Sequence, residues 1–316
     1  MRPVPVDAPW RYDTGAVVAI GVFDGVHRGH QHVINQTVEL ARARGLRSVV
    51  VTFDPTPAEV LAPDRAPKLL TLIDERADYM KSLGVDEVRV VEFTPATSRE
   101  EARDFVARAL VGHCRAKVIV VGEDFHFGKD RGGNVTTLTE WSAVDGFETV
   151  AVALRGDGER FSSTRIRTLL TNGDVATAAD ILGRPFAYAS VEVVHGDARG
   201  GAELGYPTAN ITPSPRLIRP ALGIYAGRAR LADGRQFAAA ISVGRRPQFY
   251  EEGELLIEAH LLSFTGDLYG TRLSLDFFRY LRPELTFSSV DELVTQMGED
   301  VALTAVIYGE SGAGSA

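Results

Sequence analysis

The chain has 316 residues, 45% hydrophobic and 24% charged, with a formal charge of −8. That length predicts two domains rather than one core, and no apolar run approaches the ~20 residues of a membrane span. Net negative charge without a Lys/Arg block argues against a nucleic-acid partner, although one local basic pocket can still take a small anion. The N-terminal "MRPVPVDAPWRYDTG" lacks an apolar core of signal-peptide length. A lone cysteine, Cys114, allows no internal disulfide, so a reducing cytoplasm is the expected compartment. The sequons at Asn35, Asn134 and Asn210 are then read as chance.

From residue 16 to about 183 short apolar runs alternate with helical patterns. "AVVAIGVF" reads as a strand, followed by a helix whose apolar positions Val33, Ile34, Val38 and Ala41 recur at helical spacing and which Gly45 stops. The strand "RSVVVTF", a Pro-punctuated loop "DPTPAEVLAPDRAP", a helix near 74–83, the strand "EVRVVEF", a helix near 99–110 and the strand "KVIVVG" follow. Continuous Val/Ile runs indicate strands buried on both faces of a parallel sheet. The prediction is an α/β, doubly wound, Rossmann-like domain with its ligands outside the carboxyl ends of the strands. After "LGRPFAYAS" the grammar changes. "SVEVVHG", "GIYAGRARL", "QFAAAISVG", "ELLIEAHLL" and "TRLSLDFFRYL" are strand-like runs parted by Gly, Pro and Asp turns, and a helix near 289–297 or longer follows. These predict an antiparallel β-barrel with a terminal helix. The expected domains are 1–184 and 188–310, with 311–316 as a flexible tail.

"GVFDGVHRGHQHVI", residues 21–34, holds three histidines, three glycines and an aspartate where a strand passes into a helix. As metal ligands His27, His30 and His32 fit poorly, because His30 and His32 are two apart on a helix and diverge, and no cysteine or second acid completes a tetrahedral set. They could be solvated helix histidines. The position favours a third reading: a helix N-terminus with unpaired N–H groups and a favourable dipole attracts anions, and glycines let the backbone come close. His27 and His30, three apart, can then share one pocket and donate to a phosphate, while His32 stays on the surface.

The same residues resemble the H-x-G-H motif of the nucleotidyltransferase superfamily, in the G-x-F-D-G-x-H-x-G-H form of the bacterial bifunctional riboflavin kinase/FAD synthetases. The resemblance implies nucleotide contacts at Gly21, Phe23, Asp24, Gly25 and Gly29, with His27 and His30 catalytic. "FSSTRIRTLL" resembles the family's S-S-T-R-I-R segment, which implies that Ser163 and Thr164 bind nucleotide and that Arg167 is catalytic at the β/γ-phosphates; hydroxyls at a helix start and an arginine one turn in suit that work. "VGEDFHFGKDRGG" is similar to a family loop, so Asp124, Phe125 and Phe127 are expected beside the flavin.

In the second half "HGDARGGAELGYPTANI" resembles the riboflavin kinase entry motif. It implies Gly196, Arg199, Gly205 and Pro207 at the nucleotide, and Thr208 and Asn210 at Mg²⁺, a cation that prefers hard oxygen ligands. By the same resemblance Glu258 is the general base, and Tyr225 and Arg282 face the flavin. The likeness spans roughly residues 16–309. It implies a riboflavin-kinase-like barrel fused to an FMN adenylyltransferase domain, with ATP as co-substrate and riboflavin, FMN and FAD as substrate and products. Three positions depart from the pattern: Thr56 replaces a histidine in F-x-P-H-P, His126 replaces the arginine of D-F-R-F-G, and Gln248 replaces a threonine. The first two lower cationic character in the adenylylation domain, which leaves a divergent paralogue as the alternative. Such a chain would have one active site or a changed nucleotide or flavin preference, with CTP one such nucleotide; a flavin- or nucleotide-binding protein without catalysis is a further alternative.

Overall fold

The computed structural model describes residues 3–194, 206, 208–245 and 255–312. Backbone contacts divide the chain into two compact units, Met1–Ser163 and Thr164–Ala316. The division falls ahead of two helices that sequence grammar alone joins to the first half.

The first unit runs β1 (Val4–Pro5), β2 (Ala16–Ile20), α1 (Arg28–Arg44), β3 (Arg47–Phe53), α2 (Pro57–Leu61), α3 (Ile73–Ser82) and β4 (Glu87–Val91). Then come α4 (Ala102–Phe105), which passes into π-wound turns over Val106–His113, and β5 (Ala116–Gly122). A small hairpin of β6 (His126–Phe127) and β7 (Gly133–Asn134), the helix α5 (Val135–Asp145) and β8 (Glu148–Val152) complete it. The main sheet has the order β1-β4-β3-β2-β5-β8 with every pair parallel. Its strands are buried on both faces: Val18 and Ile20 join a core with Phe105 and Leu110, while Ala19 on the other side packs with Ile34, Val38 and Met80. Cys114 lies buried in the first of these cores, and burial pushes its thiol up to about 12. Strand order reverses between β2 and β5, so the crevice where such sheets hold ligands opens at the carboxyl ends of those two strands. The segments leaving them there are "GVFDGVH" and "GEDFHFG".

The "DPTPAEVLAPDRAP" segment is not all loop, since α2 begins within it, and the helix expected near 99–110 starts at Ala102 and unwinds into π turns. The second unit has α6 (Ser163–Thr171), which starts on the last residue of the first unit, and α7 (Val175–Leu182). The strands β9 (Phe186–Val194), β10 (Ala209–Ile211), β11 (Gly223–Leu231), β12 (Gln236–Arg245), β13 (Leu255–Leu261) and β14 (Arg272–Arg282) follow. They close as an antiparallel barrel in the order β10-β13-β12-β11-β14-β9. The terminal helix α8 extends well past residue 297, over Val290–Glu310, and packs on β11, β12 and β14. Along β13 the buried Ile257, Ala259 and Leu261 alternate with the half-buried Leu256, Glu258 and His260. One face of this strand therefore fills the barrel and the other carries the polar groups.

Candidate active sites

The turn leaving β2 is held under strain. Phe23, Gly25 and Val26 have φ of 52°, 79° and 41°, and two of these are residues with a Cβ in the left-handed region. A buried clamp holds them. The Asp24 carboxylate, 3% exposed, accepts from the N–H of Leu70 (3.0 Å) and of Thr71 (3.1 Å), while Gly25 N donates to Thr71 Oγ1 at 3.0 Å. Arg76, fully buried on α3, lies 3.6 Å from Asp24 and donates from Nη1 to the Val22 carbonyl (2.9 Å) and from Nη2 to that of Thr71 (3.1 Å). Ser163 Oγ donates to the Asp24 carbonyl at 2.9 Å, tying the "FSSTR" segment to the same turn.

His27 is the N-cap of α1, and its Nδ1 accepts from the His30 N–H at 3.4 Å. That bond fixes the proton of the neutral ring on Nε2, which makes Nε2 the donor to any ligand. The His27 and His30 rings are stacked with centroids 3.6 Å apart. Two positive rings so placed would repel by about 4–5 kcal/mol at an effective dielectric of about 20, so no more than one is charged. His30 stays neutral: burial first, then the charges of His27, Arg76 and Arg160, hold it well below the ordinary histidine range. Its Nδ1 is buried with no hydrogen-bond partner among the described residues. A side chain at position 29 would put its Cβ 3.1 Å from the His27 ring, which accounts for Gly29. Gly21 meets the Phe23 ring in the same way, and that ring stands edge-on to His30.

Beside this turn an apolar cavity of about 350 Å³ is walled by Phe53, Phe93, Phe105, Phe125 and Phe127, with His126 on its lining. Phe125 and Phe127 stack at 5.4 Å, a surface suited to a flat aromatic ligand. Asp124 is absent from the lining; it pairs with Arg160, Nη2 to Oδ2 2.5 Å. Thr164 and Arg167 lie on α6 in the second unit.

The barrel carries a second cavity, of about 240 Å³, between its outer face and α8. Strand register builds it. Asn210 on β10 stands opposite Glu258 on β13, Glu258 opposite Ser242 on β12, Ser242 opposite Ile224 on β11, and Ile224 opposite Arg282 on β14. Residues directly opposite project to one face, so a single row crosses five strands. Thr208 and His260 line the same cavity. Arg282 is held by Asp300 of α8, with Nη2 to Oδ2 2.6 Å and Nε to Oδ1 3.0 Å. Asn210 is buried and its Oδ1 has no hydrogen-bond partner among the described residues. Tyr225 sits inside the barrel, donating to the Ala221 carbonyl at 2.6 Å and packing on Phe277, apart from this cavity. Gly196, Arg199, Gly205, Pro207 and Gln248 lie outside the described residues.

Both halves match known families. Residues 10–165 fit the FAD synthetase family model and residues 182–308 the riboflavin kinase model. A bifunctional riboflavin kinase/FMN adenylyltransferase from Listeria monocytogenes is 36% identical over 97% of this chain and 96% of its own length. The chain belongs to the bifunctional riboflavin kinase/FMN adenylyltransferase family. Relatives of that name from Escherichia coli K12, 36% identical over 93% of each chain, and Pseudomonas fluorescens, 38% identical over 94% of each, agree. A crystal structure described as a macrolide-efflux protein from Streptococcus pneumoniae superposes with a TM-score of 0.86 at 30% identity, covering 96% of this chain and 98% of that one. Among the described residues no helix is long and apolar enough to cross a membrane.

For a member of this bifunctional family, the departures take definite structural roles. Thr56 caps α2: its N–H and hydroxyl both donate to Glu59 Oε2, at 2.8 and 2.9 Å. His126 Nδ1 lies 2.8 Å from the Asp124 carbonyl, so it carries the proton and leaves Nε2 an acceptor where the family arginine would donate. Two charged groups beside the histidine pair are not foreseen from sequence, Arg76 and Arg160. An arginine on a helix, as Arg76 is, or in a loop, as Arg160 is, reads as solvent-facing, and the aspartates that pair with these two lie dozens of residues upstream.

Proposed function

We propose that this chain makes FMN from riboflavin and ATP in its barrel unit, and FAD from FMN and a second ATP, with release of pyrophosphate, in its first unit. Near-full-length likeness to bifunctional relatives carries this reading, because each unit also holds a cavity of suitable chemistry. In the barrel Glu258 takes the proton of the terminal ribityl hydroxyl, whose oxygen attacks the γ-phosphorus as ADP departs. Arg282 holds α8 over the cavity that receives the flavin. Thr208 and Asn210 fit a magnesium ion, since the buried Oδ1 of Asn210, without a partner among the described residues, is a hard oxygen donor; bound there, the ion would neutralise phosphate charge. Phosphoryl transfer asks mainly for such positioning.

In the first unit the FMN phosphate attacks the α-phosphorus of ATP. His27 Nε2–H donates to the α-phosphate oxygen, with His30 stacked on it, while the N-terminus of α1 adds its dipole. The isoalloxazine occupies the phenylalanine cavity with Phe125 and Phe127, and Ser163, the last residue of this unit, serves the β/γ-phosphates. The lone cysteine, held as a buried thiol, supports a cytoplasmic location. The test is chromatography of products from riboflavin, ATP and Mg²⁺, in which FMN appears first and FAD later. FMN that accumulates without FAD overturns the adenylyl half for ATP and moves the test to CTP. Thr56 and His126 motivate that narrower reading, because each withholds a charge-assisted contact worth about 1.5–3 kcal/mol.

A further inference from the structure

We infer that Arg76 is a positioning residue for adenylyl transfer, holding the strained turn from which His27 and His30 rise. The inference rests on the adenylyltransferase reading of the first unit. Arg76 is not itself on the cavity lining, but it holds the backbone carbonyls of Val22 and Phe53, two residues that are. Its Nη1 holds the Val22 carbonyl at 2.9 Å and reaches the Phe53 carbonyl and Thr52 Oγ1 at 3.5 Å, so one guanidinium joins the exits of β2 and β3. Its Nη2 holds the Thr71 carbonyl, and the Thr71 hydroxyl receives the N–H of Gly25. Asp24 completes the circuit with its two oxygens on the N–H groups of Leu70 and Thr71. Three residues with positive φ therefore hang on a ring of buried polar contacts in which Arg76 is the cation.

The same charge faces His30. The groups around that ring are His27 from the N-cap, Arg76 from α3 and Arg160 from the segment before α6, and Arg76 is the fully buried one. A fixed positive charge there opposes protonation of His30, keeping the histidine pair uncharged at that member as pH falls. Geometry and charge can be separated by substitution. Lysine keeps the charge and loses the fork of bonds to three carbonyls. Methionine together with D24N removes both charges without leaving a buried carboxylate unpaired.

The experiment measures FAD formation from supplied FMN against pH for wild type, R76K and D24N/R76M, with FMN formation from riboflavin in the same preparations as the control. For R76K the expected result is a kcat lower by about tenfold or more, the scale of one lost charged hydrogen bond, with the acid limb unmoved. For D24N/R76M the acid limb moves to higher pH, because His30 then takes a proton more readily. FMN formation stays at the wild-type rate in both. Wild-type kcat in R76K, or an unmoved acid limb in D24N/R76M, overturns the inference. Failure of the wild type to make FAD would instead overturn the adenylyltransferase reading. Should D24N/R76M not fold by circular dichroism, the R76K rate alone decides.

Discussion

The two sites are built in opposite ways. In the first unit the chemistry is gathered within a short stretch of chain, where seven residues leave β2, twist through three positive φ angles and enter α1 with His27 as its cap. Backbone groups and a helix terminus come together there, and beneath them lies a buried Asp–Arg clamp. In the barrel unit no two of Asn210, Ser242, Glu258 and Arg282 are neighbours in sequence, and regular strand pairing alone brings them into one row. A strained turn concentrates function and needs a brace. A register distributes function and needs only that the sheet close.

Substitutions can break this contrast, starting with the largest expected effect. Glu258→Gln should reduce FMN formation by about 10²–10⁴, the usual reach of a general base, with FAD formation from supplied FMN unchanged in a coupled pyrophosphate assay. Loss of both together would show that the sites are not independent. His27→Ala should slow adenylyl transfer by about 10²–10³ through loss of the Nε2 donor, while the kinase rate is kept. Phe125→Ala should raise KM for FMN about two- to tenfold with little change in kcat, since ring contact is worth about 0.5–1.5 kcal/mol; an unchanged KM would move the flavin out of the phenylalanine cavity. The smallest effect is on stability. His30 is held neutral in the folded chain, so below its unfolded value of about 6.5 the unfolded state binds the extra proton and gains. Unfolding free energy should therefore fall as pH drops through 6.5, by up to about 1.4 kcal/mol per pH unit from this group, and His30→Gln should flatten that slope in urea titrations.

Much of the first site is legible from residues alone, because Gly25, Gly29 and the H-x-G-H spacing are local signals of a tight strand-to-helix passage. The flanking prolines make Thr56–Glu59 read as a loop, yet T-P-A-E is a capping box with Pro at the first helical position, and α2 starts from it. Arg76 is not legible, since its burial depends on Asp24 across 52 positions of chain. The barrel row is legible only in part. Alternation along "LLIEAHL" puts Glu258 and His260 on one face, but which residues of β10 and β12 stand beside them follows from pairing that no single strand encodes. Tyr225 has a packing place in the barrel core. Its place in a motif suggests a ligand contact, whereas burial pushes its phenol up and a backbone carbonyl takes its proton.

The row across the barrel also limits how the gene can drift. Deleting one codon inside β13 would turn Glu258 into the hydrophobic interior and bring Ile257 or Ala259 out to the outer face, because side chains alternate with a period of two. The same deletion in the turn after Leu261 would leave every cross-strand partner of Glu258 in place. Frame-preserving insertions and deletions among descendants of this chain should therefore collect between the strands of the barrel, and strand lengths should stay fixed even where the amino acids in them change.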